Sequence, residues 1–170
     1  LVRIQAPDAP AGHGAQRPPQ ALALVIDRSG SMSGRPLEEA KRCAVAIMER
    51  LEAQDRIALV TYDNRADTVL PLAEVGDREA FRQAVSRIRS GGCTNLHLGW
   101  STGLQQLQAE HRPEVLSRVL LLSDGQANDG LQDPQALAEE ARRGLGLGIG
   151  TSTYGLGHQF QEGLMTALAR

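Results

Sequence analysis

The chain has 170 residues, 41% of them hydrophobic, with 18 basic and 20 acidic side chains and a net charge of -2. That apolar content suits one compact core and a single domain. The near-balance of charge lacks the cationic excess of a nucleic-acid or anionic-membrane binder, and no apolar run approaches the roughly 20 residues of a membrane span.

In chain order, Leu1 to Gln5 alternates apolar and polar residues and reads as a short edge strand, and the Pro/Gly/Ala-rich stretch to Gln20 reads as a loop or linker. Residues 1–20 are therefore set apart from a domain spanning 21–170. An apolar run from Ala21 ends at Asp27, a Gly/Ser loop follows, and Pro36 opens a helix whose core face is Leu37, Ala40, Ala44, Ile47, Met48 and Leu51. Arg56 to Tyr62 and Thr68 to Leu72 form a hairpin about Asp63-Asn64-Arg65, which places an antiparallel strand at one sheet edge. Asp77 caps a helix running to about Arg89, and the loop Gly91-Gly92-Cys93-Thr94-Asn95 precedes another from Leu96 to Glu110. Val115 to Leu122 is a strand ending at Asp124-Gly125. Asp133-Pro134 starts a helix to about Arg143, Leu147 to Tyr154 is a strand, and Phe160 to Ala169 is helical.

Strands alternating with helices predict a doubly wound α/β fold: a mostly parallel sheet with one antiparallel edge strand and helices on both faces. In such sheets ligands sit outside the carboxyl ends of the strands, where strand order reverses. Asp27 ends the first strand and Asp124 follows the fourth, so neighbouring strands would bring two carboxylates close together, which calls for a shared proton or a shared cation. Ser29 and Ser31 follow Asp27 at alternating positions and can turn their hydroxyls inward, and Thr94 can supply a third from another loop. An all-oxygen set without His or Cys suits a hard octahedral ion, Mg2+ or Mn2+. Ca2+ is less favoured because carboxylates are few.

Asp27-x-Ser29-x-Ser31 with a downstream Thr94 and Asp124 resembles the metal-ion-dependent adhesion site (MIDAS) of von Willebrand factor type A domains. The stretches Leu24 to Met32, Gly91 to Leu96 and Leu121 to Gly125 carry the likeness, and the element order agrees over nearly all of residues 21–170. The resemblance implies that Ser29, Ser31 and Thr94 contact a metal, that Asp27 and Asp124 act directly or through water, and that the vacant position accepts an Asp or Glu of a protein partner. It also implies a further strand and a terminal helix beyond Arg170, so the fold reads as truncated, or completed by neighbouring sequence or another chain. Taken singly, Ser29-Gly30-Ser31 is equally a strand-to-helix turn and Thr94 equally a helix cap.

The remaining polar residues carry less. Asn128 and Asp129 read as a solvated turn, with rim contacts to a partner as the second reading. Asp63 and Asn64 are hairpin residues, Trp100 is core, and His13, His97, His111 and His158 lack the spacing of a shared metal site. Cys43 and Cys93 are expected as free, partly buried thiols, Cys43 packed within its helix. Cys93 stands beside Thr94, where softer ions such as Zn2+ could compete.

The expected function is that of a divalent-cation-dependent protein-binding module without catalysis of its own. It suits an adhesion-like domain of a secreted or surface protein or an intracellular adaptor working with an ATPase or other assembly factor. No signal peptide is visible, but a chain beginning at Leu1 reads as a fragment or processed piece, so both placements are expected alike. The alternative is a Mg2+-dependent phosphoryl-transfer enzyme with Asp27 as nucleophile. It lacks a second Asp two positions on, where Ser29 stands, and the only Lys is Lys41 in the first helix. Met32 at the centre of Gly-Ser-Met-Ser-Gly does not match a serine-hydrolase elbow.

Overall fold

The computed structural model describes residues 17–156 and 161–169. The expected strand at Leu1–Gln5, His13, His158 and the start of the expected last helix at Phe160 lie outside the described residues. Strand β1 (Gln20–Asp27) is followed by a single 3-10 turn (Gly30–Met32) and helix α1 (Arg35–Glu49). Strands β2 (Arg56–Tyr62) and β3 (Ala66–Glu74) come next, then α2 (Arg78–Ser86) and α3 (Leu96–Gln108). Strand β4 (Leu116–Ser123), α4 (Pro134–Gly146), β5 (Ile149–Gly155) and α5 (Glu162–Leu168) complete the order. The sheet runs β3-β2-β1-β4-β5, parallel except for the β2–β3 hairpin at one edge. The expected doubly wound architecture is therefore the observed one. α2 stops at Ser86, three residues before the expected Arg89, and α4 runs three residues past Arg143.

β1 is apolar at consecutive positions because both of its faces are covered. Ala21, Ala23 and Val25 point into a layer closed by α3, α4 and α5, with Trp100, Leu137 and Leu164 among its members. Leu22, Leu24 and Ile26 point into the opposite layer under α1 and α2, against Leu37, Met48 and Phe81. Trp100 is core as expected, 1% exposed, and its Nε1 donates to Thr151 Oγ1 at 3.1 Å. α3 lies unusually close to the sheet: a Cβ added at Gly99 would sit 2.3 Å from the ring of Tyr62. Glycine is required there, and the tight seat holds the loop before α3 over the ends of β1 and β2. No described helix is long and apolar enough to cross a membrane.

Cys43 and Cys93 are free but both exposed, which corrects the partly buried placement expected of them. The buried stripe of α1 is Leu37, Ala40, Ala44 and Met48. One residue before Ala44, Cys43 is turned about 100° off that stripe by the helical repeat.

Candidate metal site

β1 lies between β2 and β4, with Ile26 opposite Leu122. Strand order reverses at the β1–β4 seam, so Asp27 and the Ser123-Asp124 pair leave the sheet side by side at its carboxyl edge. Asp27, Ser29 and Ser123 are wholly buried, Thr94 is 2% and Asp124 5% exposed. Ser31 stands at the mouth, exposed. Such a concentration of buried polar groups has to be satisfied internally or by a ligand.

The β1 loop is folded by its own first residue. The Ser29 N–H donates to Asp27 Oδ1 at 2.9 Å, the 3-10 turn follows, and buried Met32 anchors its far end. The turn brings Ser29 Oγ and Ser31 Oγ to 3.1 Å from each other. An octahedral Mg2+ with oxygens at about 2.1 Å has adjacent ligands about 3.0 Å apart, so the two hydroxyls are spaced as neighbouring ligands of such an ion.

Both oxygens of Asp27 are engaged. Its Oδ2 accepts from Tyr62 Oη at 3.1 Å and from Ser123 Oγ at 2.6 Å. Burial pushes the Asp27 carboxyl above its ordinary value; bonds from Ser123 and Ser29 pull the other way, and the nearby charge of Asp124 adds to the rise. Burial, then the Asp27 charge, pushes the Tyr62 phenol well up, so it stays protonated and donates. Asp124 Oδ1 accepts from Gln126 N–H at 3.1 Å. Among the described residues neither aspartate has a cationic side chain in an ion pair. The adjacent Arg28 is turned aside to Asp63 at 3.0 Å and Asp67 at 2.8 Å. Two buried carboxylates thus lie near enough to interact electrostatically, and the hydrogen bonds they accept come from neutral donors.

Thr94 reaches this pole through its loop. Gly91 N–H donates to Arg28 C=O at 2.8 Å and Gly30 N–H to Gly92 C=O at 3.1 Å, which sews the Thr94 loop to the β1 loop. On its other side Thr94 is bonded to the loop after β4: its N–H donates to Asn128 Oδ1 at 2.8 Å, and its C=O accepts from Asn128 N–H at 3.1 Å and Asp129 N–H at 3.2 Å. The helix cap is Asn95, whose side chain accepts from Leu98 N–H, so the reading of Thr94 as a cap is corrected. Its neighbour takes the cap role, and Thr94 itself is buried.

The structure therefore gathers the loops of all five expected residues, Asp27, Ser29, Ser31, Thr94 and Asp124, at one end of the sheet. Sequence reasoning undervalued Asn128, read as a solvated turn or rim residue; its side chain is a loop-to-loop bond. It also missed Tyr62 and Ser123, whose hydroxyls hold Asp27. Strand-end Ser123, directly before Asp124, was the one of the three with a local signal. His97 pairs with Glu140 at 2.8 Å between α3 and α4 and takes no part.

Residues 21–169 match the family model described as the von Willebrand factor type A domain. An uncharacterized protein of Synechocystis is 32% identical over 161 residues, covering 91% of this chain and 36% of its own length, so the chain spans about a third of that relative. Among solved structures, a von Willebrand factor type A protein of Catenulispora acidiphila superposes with a TM-score of 0.76 at 22% identity, covering 89% of this chain and 36% of that one. Proximal thread matrix protein 1 of the mussel byssus, solved with a zinc-occupied MIDAS motif, superposes with a TM-score of 0.71 at 18% identity, covering 89% and 41%.

Proposed function

The chain belongs to the von Willebrand factor type A domain family, and from that premise we propose that it binds a protein partner through a divalent cation held at the carboxyl edge of its sheet. Domains of this family generally mediate protein interactions. The observation that carries the reading is the buried Asp27–Asp124 pair, neither member in an ion pair among the described residues, beside two hydroxyls 3.1 Å apart. Ser29, Ser31 and Thr94 would hold the cation directly. Asp27, with every oxygen already accepting, would act through water, and Asp124 directly or through water. The ion supplies Lewis acidity toward an incoming carboxylate.

The chain's own residues explain why an acidic partner is favoured. Hydroxyl ligands bring no charge, so a cation held by them keeps most of its own and attracts an Asp or Glu strongly. The hydroxyl spacing suits Mg2+ or Mn2+, and the zinc in the mussel protein supports a divalent ion at this pole more generally. The buried position of Asp27 weighs against a phosphoryl-transfer nucleophile, which needs a free oxygen facing the substrate. Lys41, the one lysine, is tied to Glu38 on α1.

Calorimetric titration with Mg2+ tests the reading. The native chain is expected to bind, and Ser29→Ala or Ser31→Ala to weaken binding at least about tenfold. No heat of binding in the native chain, or identical affinity in the serine variants, refutes the site.

A further inference from the structure

Thr94 belongs to one loop, yet its backbone is held almost entirely by another. Its N–H donates to Asn128 Oδ1 at 2.8 Å, and its carbonyl takes the N–H groups of Asn128 and Asp129 at 3.1 and 3.2 Å. One residue thus grips Thr94 from both sides, donating to its carbonyl and accepting from its amide, across 34 positions of sequence. The grip is continued on either side. Asn95 Oδ1 caps α3 through Leu98 N–H at 3.0 Å, and Gly130 passes so close to it that a Cβ there would sit 2.3 Å from that oxygen. Gly130 also has φ +70, a conformation that glycine alone adopts readily.

We propose that Asn128 is the positioning residue of the cation site: its two-way bond to Thr94 fixes the Thr94 hydroxyl and couples the exposed turn 128–130 to the cation. The inference rests on the cation-site reading. Three features separate it from ordinary loop packing. Asn128 is itself exposed, so its side chain is not held by burial. Its amide oxygen is spent on the backbone of a residue whose side chain belongs to the site. Capping falls to Asn95, and among the described residues Asn128 is the side-chain partner of the Thr94 N–H. A group that orients a metal-binding residue through a hydrogen bond typically governs metal affinity by about 10–100-fold without touching the ion. Because turn 128–130 stands exposed beside the Thr94 loop, any partner pressing on it presses on Thr94 as well. By linkage, cation and partner then raise each other's affinity.

The test is Mg2+ titration of the native chain, Asn128→Ala and Asn128→Asp, with hydrogen exchange at the Thr94 amide and thermal unfolding in chelator. Asp keeps an oxygen acceptor where Ala has none. The expected result is a tenfold or greater loss of Mg2+ affinity and fast Thr94 exchange in Asn128→Ala, with Asn128→Asp restoring both. The unfolding midpoint in chelator should stay within a few degrees of native for both variants. Equal Mg2+ affinity in Asn128→Ala and the native chain overturns the proposal while leaving the cation site standing, and so does an Asn128→Asp as weak as Asn128→Ala. A native chain that binds no Mg2+ overturns the site and this inference together.

Discussion

The two poles of the sheet each bury an aspartate, and they satisfy it in opposite ways. At the amino pole Asp55 is wholly buried, and its carboxylate accepts from Gln20 N–H at 2.9 Å, from Glu52 N–H at 2.7 Å and from both Nη atoms of Arg17. At the carboxyl pole Asp27 is equally buried, but every bond it accepts comes from a neutral group, and its charged neighbour is Asp124. The direction of titration follows. Burial pushes Asp55 up, but the Arg17 guanidinium and the two backbone N–H groups outweigh it and hold the carboxyl below its ordinary value. At Asp27 burial prevails and the value rises. A buried carboxylate with its own guanidinium is a clasp. One with only neutral donors and another carboxylate for company suits the proposed cation from outside.

The largest break in that comparison is Asp55→Ala. It leaves two backbone N–H groups without their acceptor and Arg17 with Glu52 as its remaining partner, and a stability loss of about 3 kcal/mol is expected in denaturant unfolding, with Mg2+ affinity unchanged. The same residue shapes the acid limb. Its folded value lies below the unfolded one of about 3.9, so its stabilisation is complete above that pH and is lost as pH falls through it toward the folded value. Stability of Asp55→Ala should accordingly fall less than that of the native chain below about pH 4.

Next in size is Gly99→Ala, which drives a methyl into the Tyr62 ring. A cost of about 1–3 kcal/mol is expected from overpacking. Because Tyr62 also holds Asp27, this variant should lose Mg2+ affinity as well as stability, unlike Asp55→Ala. Loss of stability with intact Mg2+ affinity would separate the Tyr62 contact from the site.

The fold was legible in the sequence because its signals are local. The apolar run at 21–26, short and bounded by Pro-rich and Gly/Ser segments, reads as a strand covered on both faces, and Asp77 and Asp133 cap their helices as read, accepting from Ala80 and Ala136. The five proposed site positions read as a group because each stands at the end of a strand or in a Gly/Ser-rich turn. What escaped is what depends on distant partners. Nothing near Asn128 signals Thr94, and nothing near Asp55 signals Arg17, 38 residues away. Thr94 and Asn95 are both good caps, and only the path of the chain decides between them. Cys43 looked buried because its neighbours are apolar, and the helix turned it out.

The smallest expected effect on stability decides most. Thermal unfolding of the native chain, Asp27→Asn and Asp55→Asn, each in Mg2+ and in chelator, sets the two poles against each other. In chelator Asp27→Asn should lie within about 1 kcal/mol of native or above it, since removing one of two crowded buried charges costs little, and it should lose the Mg2+-induced rise. Asp55→Asn should be destabilised yet keep that rise. An Asp27→Asn that is strongly destabilised in chelator, or that retains the full Mg2+ shift, contradicts the claim that the carboxyl pole is built around a missing positive charge.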